Sequence, residues 1–286
     1  MEYAVNIKGL SKAYKDFALK DVNLALPKGA IMGLIGENGS GKSTTIKAML
    51  DIVKRDSGTV EILGLNLDTD EKAIKEQIGV VWGESHFHEF LNASQVSNML
   101  GKIYKDWDCD LFSDYLRRFS LPEKKKIKEY SKGMQMKLSI AAALSHHPRL
   151  LILDEATSGL DPVVRDEILT MFFDFIEDGE HSILISSHIT SDLDKVADYI
   201  TMIHNGAILF SETKDFLLED MGVLRCGREE LDRMDELDIV GVRSSLYQCE
   251  CLVRNRHAVQ EKYPHMIIDR TNIEEIMLFY VRRQES

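Results

Sequence analysis

Short apolar runs alternate with amphipathic stretches along most of the chain. The runs at 30–35, 150–153 and 182–186 are almost unbroken in apolar residues, which is typical of strands in a parallel sheet with both faces buried. Helical periodicity follows the first two runs, at 42–53 and 162–178. This alternation predicts an α/β fold built around a parallel sheet.

Two regions depart from this alternation. Between residues 3 and 26, apolar and polar positions alternate in short pieces, which predicts antiparallel strands flanking the first parallel strand. Residues 84–147 instead show helical periodicity with loops between, and they predict an inserted helical block. Its predicted helices are 93–104, 110–119 and 132–144.

The last part of the chain, residues 221–286, predicts a small α+β extension. The pattern indicates a hairpin over 240–253, a strand at 266–268 and a helix at 272–283. Three roles remain open for it: a dimer contact, a regulatory module, or a cover for an exposed sheet edge.

Composition narrows the class of partner. The formal net charge of −12 opposes binding to a phosphate backbone, so we expect no nucleic-acid partner. The basic run 124–128 predicts a solvated face or, alternatively, a surface near anionic lipid headgroups.

No apolar run of about 20 residues and no leader-like N-terminus is present, so the expected location is cytosolic. The cysteines lack metal-ligand spacing, which suits a reducing compartment.

A glycine-rich loop follows the first apolar run and precedes a helix. It fits the pattern G-x-x-x-x-G-K-[ST], in which backbone N–H groups surround a phosphate. Lys42 would supply charge and Ser43 a magnesium ligand, and the helix N-terminus adds its positive dipole end. The predicted triphosphate-binding residues are Gly36, Glu37, Asn38, Gly39, Ser40, Gly41, Lys42, Ser43 and Thr44.

Carboxylates stand where another buried strand ends. Asp154 and Glu155 follow the run 150–153, and ligands of open α/β folds bind at this edge. Asp154 can hold magnesium through water, while Glu155 can orient or deprotonate an attacking water. His188 ends the next strand and could donate to a γ-phosphate. Tyr14, ahead of the phosphate loop, could stack on the base.

These motifs, taken in order, resemble the nucleotide-binding domain of an ATP-binding cassette (ABC) transporter. The distinctive segment is the signature, here Tyr-Ser-Lys-Gly-Met-Gln at 130–135, which is followed by Ser-Gly-Leu-Asp at 158–161 and then by His188. The resemblance implies a RecA-like P-loop NTPase core with an antiparallel β subdomain and an inserted helical subdomain. It assigns 1–220 to the cassette, with the helical subdomain at about 84–147, and leaves 221–286 as an accessory segment.

The resemblance also implies a mechanism with ATP and Mg²⁺. Two cassettes, either copies or paralogues, would face head to tail, so that ATP lies between the phosphate loop of one and Ser131 and Gly133 of the other. Glu155 would be the general base and His188 the γ-phosphate sensor, while Asp161 would link the two sites. A separate membrane permease at the cytoplasmic face would use the cycle to export a peptide, antibiotic or drug-like substrate.

The chain departs from the family pattern at two places. The signature carries Lys132 and Met134 where other residues are usual. Gly83 and Glu84 stand where the family commonly places a glutamine that ligates magnesium. Because magnesium requires oxygen ligands, the carboxylate of Glu84 is a candidate substitute.

Two functions outside transport compete with this interpretation. One is a soluble cassette ATPase that acts on nucleic acid or ribosomes; the acidic charge and the single cassette disfavour it. The other is a nucleotide-gated regulator that scarcely turns over, which would have no chemical need for both Glu155 and His188.

Overall fold

The computed structural model describes residues 2–231, 234–235, 238–244 and 248–285. A six-stranded sheet forms the centre. Its strands are β3 (Ile31–Ile35), β6 (Ile78–Trp82), β7 (Leu150–Asp154), β8 (Ser182–Ser187), β9 (Tyr199–His204) and β10 (Ala207–Thr213). They lie in the order β10-β9-β3-β8-β7-β6, and all neighbours are parallel except β10, which is antiparallel to β9.

The register of this sheet decides where the polar strand ends meet. Asp154 lies opposite Trp82 on one side and opposite Ser186 on the other. Ile35, the last residue before the glycine loop, lies opposite Ser187. The carboxyl ends of β3, β6, β7 and β8 therefore form one edge of the sheet, where ligands of α/β folds bind.

The N-terminal strands pair antiparallel, as predicted, but they form a sheet of their own. Its order is β2-β1-β4-β5. Neither β1 nor β2 flanks β3, because β8 and β9 occupy both sides of that strand. The apolar face of this second sheet packs in one core cluster with residues from the first helix and the central strands. Its strands are β1 (Tyr3–Ala13), β2 (Ala18–Pro27), β4 (Ser57–Ile62) and β5 (Leu65–Asn66).

Four helices connect the strands of these two sheets. They are α1 (Lys42–Met49), α2 (Leu67–Gln77), α6 (Pro162–Ile176) and α7 (Thr190–Val196). The polar helix α2 has few buried residues and was missed from the sequence because its apolar stripe is reduced to Leu67 and Ile74.

A helical block stands between β6 and β7. It contains α3 (Ala93–Leu100), α4 (Cys109–Arg118), a 3₁₀ turn (Ile127–Glu129) and α5 (Lys132–Leu144). The prediction for α5 is confirmed to the residue. Helix α3 is shorter than predicted: it begins in a capping box of Asn92 with Gln95 and ends before Gly101.

The C-terminal part forms a third sheet, in the order β12-β13-β11-β14. Its succession of strands and helices is the β-α-β-β-α-β motif of ferredoxin-like folds, followed by one more helix. Tyr247, in the predicted hairpin, lies outside the described residues. The elements are β11 (Gly222–Cys226), α8 (Arg228–Leu231), β12 (Ile239–Ser244), β13 (Cys249–Val253), α9 (Arg256–Lys262), β14 (Ile267–Arg270) and α10 (Ile273–Glu285).

This third sheet packs directly against the rest of the molecule. Val223 and Leu252 on one face belong to the same buried cluster as the helical block. The rings of Phe210 and Tyr280 are 4.8 Å apart, and Arg254 donates to Glu212 at 2.8 Å. Across the described ranges, no helix is long and apolar enough to cross a bilayer.

Candidate nucleotide site

The glycine loop joins β3 to α1 in a shape that excludes larger residues at two positions. At Gly36, a Cβ atom would lie 2.2 Å from the carbonyl oxygen of Ile203. At Gly41 the φ angle is +118°, and a Cβ would meet side chains of Leu19 and Phe17 at 2.9 and 3.0 Å. Close backbone and side-chain contacts at these two glycines therefore hold the loop in its curled form, with its N–H groups available to an anion.

Lys42 is buried at the centre of this loop. Its ammonium group donates to the carbonyl oxygens of Gly36 at 2.8 Å and Glu37 at 3.3 Å. It also lies 3.2 Å from Oε1 of Glu155. The positive charge is thus fixed between the phosphate loop and the carboxylate that ends β7.

Two hydroxyl groups converge on Asp154. Ser43, at the start of α1, donates to Oδ1 of Asp154 at 3.1 Å, and Ser186 on β8 donates to the same oxygen at 2.5 Å. Sequence reasoning missed Ser186; the available signal was a polar residue ending an apolar strand, level with an acidic one. Hydroxyl and carboxylate oxygens are ligands that Mg²⁺ accepts.

A dedicated metal cage is absent from the described part of the chain, where no three His, Cys, Asp or Glu residues group as metal ligands. That is how Mg²⁺ is usually held with nucleotides, by one or two protein oxygens together with phosphates and water. Ser43 and Asp154 fit this arrangement.

Glu155 and His188 form a pair beside the metal residues. Nδ1 of His188 lies 2.6 Å from Oε2 of Glu155, so the histidine orients one oxygen of the carboxylate while Lys42 faces the other. The backbone of Glu155 has a φ of +55°, a conformation that costs a non-glycine residue about 1–3 kcal/mol and that clusters at functional sites. The backbone N–H of Glu155 is held by Ser186 O and Oγ at 3.1 and 3.2 Å.

The remaining loop residues differ in burial. Glu37, Asn38 and Gly39 are exposed at the mouth of the loop, Ser43 and Thr44 are half-buried, and Ser40 is buried. The loop therefore has an exposed rim above a buried floor.

The turn between β9 and β10 braces this loop from one side. The N–H of Gly206 donates to the carbonyl oxygen of Ser40 at 2.9 Å. Nδ1 of His204 lies 3.4 Å from Oε2 of Glu37, and the other ring nitrogen contacts Asn205 at 2.9 Å. The buried His204 was not singled out from sequence, where nothing distinguishes it from a core histidine.

Tyr14 lies in the turn between β1 and β2 and is 46% exposed. Its ring centroid is 6.4 Å from that of Phe17, and Phe17 in turn lies against Gly41. The turn that carries Tyr14 is therefore in contact with the phosphate loop, and the ring presents an exposed face.

The signature residues lie on a separate surface. Ser131 caps α5 by accepting the N–H of Met134 at 3.2 Å, and Gly133 faces Val164 at a distance that leaves little room for a side chain. Asp161 caps α6 by accepting from the N–H groups of Val163 and Val164. Across the described ranges, no hydrogen bond joins Ser131, Gly133 or Asp161 to residues 36–44.

Comparison with known proteins decides the family. The family model described as "ABC transporter" matches residues 19–158. The chain is 32% identical to the ABC transporter ATP-binding protein YtrB of Bacillus subtilis (strain 168), over 76% of this chain and 74% of that protein. It is 34% identical to the bacitracin transport ATP-binding protein BcrA of Enterococcus faecalis, over 73% and 69%.

The chain belongs to the ATP-binding proteins of ABC transporters. It is an ATP-binding and ATP-hydrolysing subunit that powers transport. One relative matches beyond the cassette: the linearmycin resistance ATP-binding protein LnrL of Bacillus subtilis (strain 168) is 30% identical over 100% of this chain and 94% of its own length.

Solved structures agree with the fold. The structure of an ATP-binding subunit of an ABC transporter aligns with a TM-score of 0.68 at 26% identity, covering 75% of this chain and 91% of that one. A dimeric ATP-binding cassette in a post-hydrolysis state, bound to ADP and phosphate, aligns with a TM-score of 0.65 over 73% and 98%; at 23% identity this likeness shows the fold. The predicted α/β cassette fold is confirmed.

Glu84 of this ABC protein lies beside the site but lines a different cavity. A Cβ at Gly83 would be 3.2 Å from the carbonyl oxygen of Glu155, so the backbone here touches the end of β7. The Glu84 side chain is exposed and borders a cavity of about 310 Å³ between β6 and the helical block. Within the described ranges no hydrogen bond joins Glu84 to Ser43 or Asp154.

This cavity adjoins a second one of about 530 Å³, and the two share Val80, Trp82 and Tyr104. The Tyr104 ring stacks on His146 with centroids 4.0 Å apart. Burial raises the pKa of Tyr104 and lowers the pKa of His146, so the neutral form of each is favoured. Next to its nucleotide site, the cassette thus carries a groove with a mostly apolar floor and uncharged aromatic walls. Charged residues of α2 also line it, namely Glu71, Lys72, Lys75 and Glu76.

Proposed function

We propose that this chain is the cytoplasmic ATPase of an exporter, attached to the membrane through a separate permease subunit. The observation that carries the proposal is the meeting of Lys42, Ser43, Asp154, Glu155 and His188 at one sheet edge. We assign residues 1–220 to the cassette and 221–286 to an accessory domain.

Each residue at this edge has a part in the proposed reaction. The phosphates of ATP lie in the loop 36–44, with Lys42 beside the transferred group. Ser43 and Asp154 hold Mg²⁺, which when bound neutralises phosphate charge. Glu155 orients the attacking water and accepts its proton.

His188 positions the general base. Because an ionised Glu155 accepts hydrogen bonds only, Nδ1 of His188 carries the proton across the 2.6 Å contact. Nε2 is then directed away from the carboxylate, and it can donate to a γ-phosphate only when it carries a proton as well. The sensor role therefore requires the imidazolium form, in which Nδ1 donates to Glu155 and Nε2 to the phosphate.

A complete site requires a second cassette, either a copy of this chain or a paralogue. The proposal places Ser131 and Gly133 on the nucleotide of the partner, with the N-terminal dipole of α5 facing its phosphate. Asp161 lies next to that contact and links the two sites. Tyr14 stacks on the adenine ring.

The permease subunit docks in the groove beside β6, whose apolar floor is flanked by charged residues of α2. Ile52 and Ile103, which line the larger cavity, are 59% and 64% exposed, and such apolar exposure is typical of an interaction surface. Glu84 lies where the groove approaches the ends of β6 and β7. Its carboxylate is our candidate for the missing glutamine: it would join Ser43 and Asp154 in holding Mg²⁺ and would link that site to the permease.

The relatives named for bacitracin transport and linearmycin resistance support export of an antibiotic or peptide as the substrate class. Antibiotic susceptibility tests this part of the proposal. Cells that produce the wild-type chain are expected to tolerate more bacitracin or linearmycin than cells that produce Glu155→Gln. Equal tolerance to both compounds would contradict this substrate class.

The ATPase mechanism is tested with Glu155→Gln in the purified chain. Removing a general base typically lowers turnover by about 10²–10⁴-fold, while ATP binding through Lys42 persists. Light scattering on a sizing column should show a dimer only with ATP and Mg²⁺. Glu177→Gln, an exposed change at the C-cap of α6, is the matched control and should hydrolyse normally. Unchanged turnover in Glu155→Gln would overturn the assignment of the base.

A further inference from the structure

A basic and aromatic surface stands out on this acidic protein. Lys124, Lys125, Lys126 and Lys128 are all exposed, although the chain carries a net charge of −12. The Phe90 side chain, 52% exposed, lies beside Lys126 and Lys128. We call these five residues the basic loop patch.

Contacts between two loops fix the patch in place. The N–H of Ile127 donates to the carbonyl oxygen of Leu91, and that of Lys128 to the carbonyl oxygen of Glu89, both at 2.9 Å. Ile127 is buried as the anchor of this turn. The Tyr130 hydroxyl donates to the carbonyl oxygen of Pro122 at 2.8 Å and closes the other end.

Two lysine ammonium groups lie over the exposed ring. Nζ of Lys128 is 4.9 Å from the Phe90 ring centroid and Nζ of Lys126 is 5.9 Å away. The ring of His88 lies 5.5 Å from the same centroid. An exposed aromatic ring with flexible cations around it suits a boundary where the ring enters an apolar layer and the amines stay in the headgroup region.

We propose that the basic loop patch binds anionic phospholipid headgroups, with Phe90 inserted at the bilayer surface. A lipid surface fits better than a nucleic acid because the patch is short and the rest of the protein would repel an extended polyanion. The exposed carboxylates of Glu89, Glu123 and Glu129 border the patch, so binding is modest. It adds to the attachment made by the permease.

The position of the patch agrees with this role, and this step alone rests on the proposed function. The loop that carries Phe90 begins with Glu84, His86 and Phe87, which line the groove that we assign to the permease. A patch beside that groove would face the membrane.

The test uses the purified full-length chain and no permease. Vesicles of phosphatidylcholine with 30% phosphatidylglycerol, and vesicles of phosphatidylcholine alone, are sedimented with the protein at low salt. We expect binding to the anionic vesicles only. Since each lysine near such a surface contributes about fivefold, Lys126→Gln with Lys128→Gln should lower the partition coefficient by at least tenfold. Phe90→Ala should lower it severalfold.

The matched control removes the same number of positive charges from another part of the surface. Lys8 and Lys20 are exposed on β1 and β2, and Lys8→Gln with Lys20→Gln should bind as the wild type does. An equal loss in this control would overturn the proposal, because net charge alone would then explain binding. Equal affinity for both vesicle types, or displacement from the vesicles by a short RNA, would also overturn it.

All variants of the patch should retain ATP binding and turnover without vesicles, which shows that they fold. Failure of the lipid proposal is thereby separated from failure of the ATPase assignment, which would appear in Glu155→Gln.

Discussion

Two parts of the proposed nucleotide site differ in how many contacts one chain supplies to them. The phosphate-loop edge comprises residues 36–44 with Asp154, Glu155 and His188, and the signature surface comprises Ser131, Gly133 and Asp161. At the first, Lys42, Ser43 and Glu155 each contact another residue of the site. At the second, Ser131 and Asp161 have no side-chain hydrogen bond within the described ranges beyond those that cap their own helices, and Val163 beside them is 69% exposed. Helix N-termini at an exposed surface leave backbone N–H groups available to an anion. In the proposed function, the residues of the reaction therefore lie within one chain, and the signature residues of a second cassette complete the site.

The largest expected effect comes from removing a phosphate-loop residue in one variant and a signature residue in another. Lys42→Ala removes the cation of the phosphate loop, and Ser131→Ala removes the signature hydroxyl, so each variant alone should be nearly inactive as a dimer. In a head-to-tail dimer of the two variants, one site combines intact Lys42 with intact Ser131. Mixing them should restore about a quarter of wild-type activity, since half the dimers are mixed and one of their two sites is whole.

The readout of this experiment is phosphate release at a fixed total protein concentration. Either variant mixed with itself is the control. A mixture that stays inactive, while both variants still bind ATP or still form dimers with wild-type chains, would contradict a site shared between two copies.

A smaller effect is expected from His188→Ala, which tests the catalytic pair inside the first region. A hydrogen bond to a charged group contributes about 1.5–3 kcal/mol, so turnover should fall by about 10- to 100-fold. KM for ATP should change little, because Lys42 and the loop backbone remain. His188→Gln, which keeps a donor, should recover part of the loss; equal defects in both variants would contradict a role in positioning Glu155.

The difference between the two regions also explains what sequence reasoning could and could not predict. The glycine loop and the pair Asp154-Glu155 were readable because a run of apolar residues ends directly at each. Ser186 and His204 were missed, since their roles depend on strand order and on the approach of a distant turn. The strand pattern placed β1 and β2 beside the first parallel strand, because local alternation predicts strands but not their neighbours. The antiparallel β subdomain implied by the family resemblance is confirmed.

A smaller effect still, on ATP-dependent dimerisation, is expected from a substitution at Lys132 on the signature surface. Lys132 is the first residue of α5, whose first turn carries no acidic residue. A cation at the positive end of a helix is unfavourable by about 0.3–1 kcal/mol. An anion bound there would compensate for this cost. Lys132→Gly should therefore weaken ATP-dependent dimerisation of the Glu155→Gln variant by about two- to fivefold.

Light scattering at several ATP concentrations measures this change. Lys124→Gln, an equal charge change at an exposed site away from the signature, is the control. Tighter dimerisation in Lys132→Gly would show that the lysine opposes the nucleotide contact.

The smallest expected effect lies at the other end of the helix that carries the signature. His146 follows the C-terminus of α5, is buried against Tyr104 and contacts the carbonyl oxygen of Ile78 at 3.0 Å. Burial lowers its pKa below the ordinary 6.5. The unfolded chain therefore binds a proton before the folded chain does, and stability is lost as pH falls below about 6.5 toward the lowered pKa. Thermal unfolding between pH 7.5 and 5.5 should show a decline that is shallower in His146→Phe, which keeps the ring stack but cannot titrate. Parallel declines in the wild type and in His146→Phe would show that other groups control the loss of stability in acid, and they would contradict this role for His146.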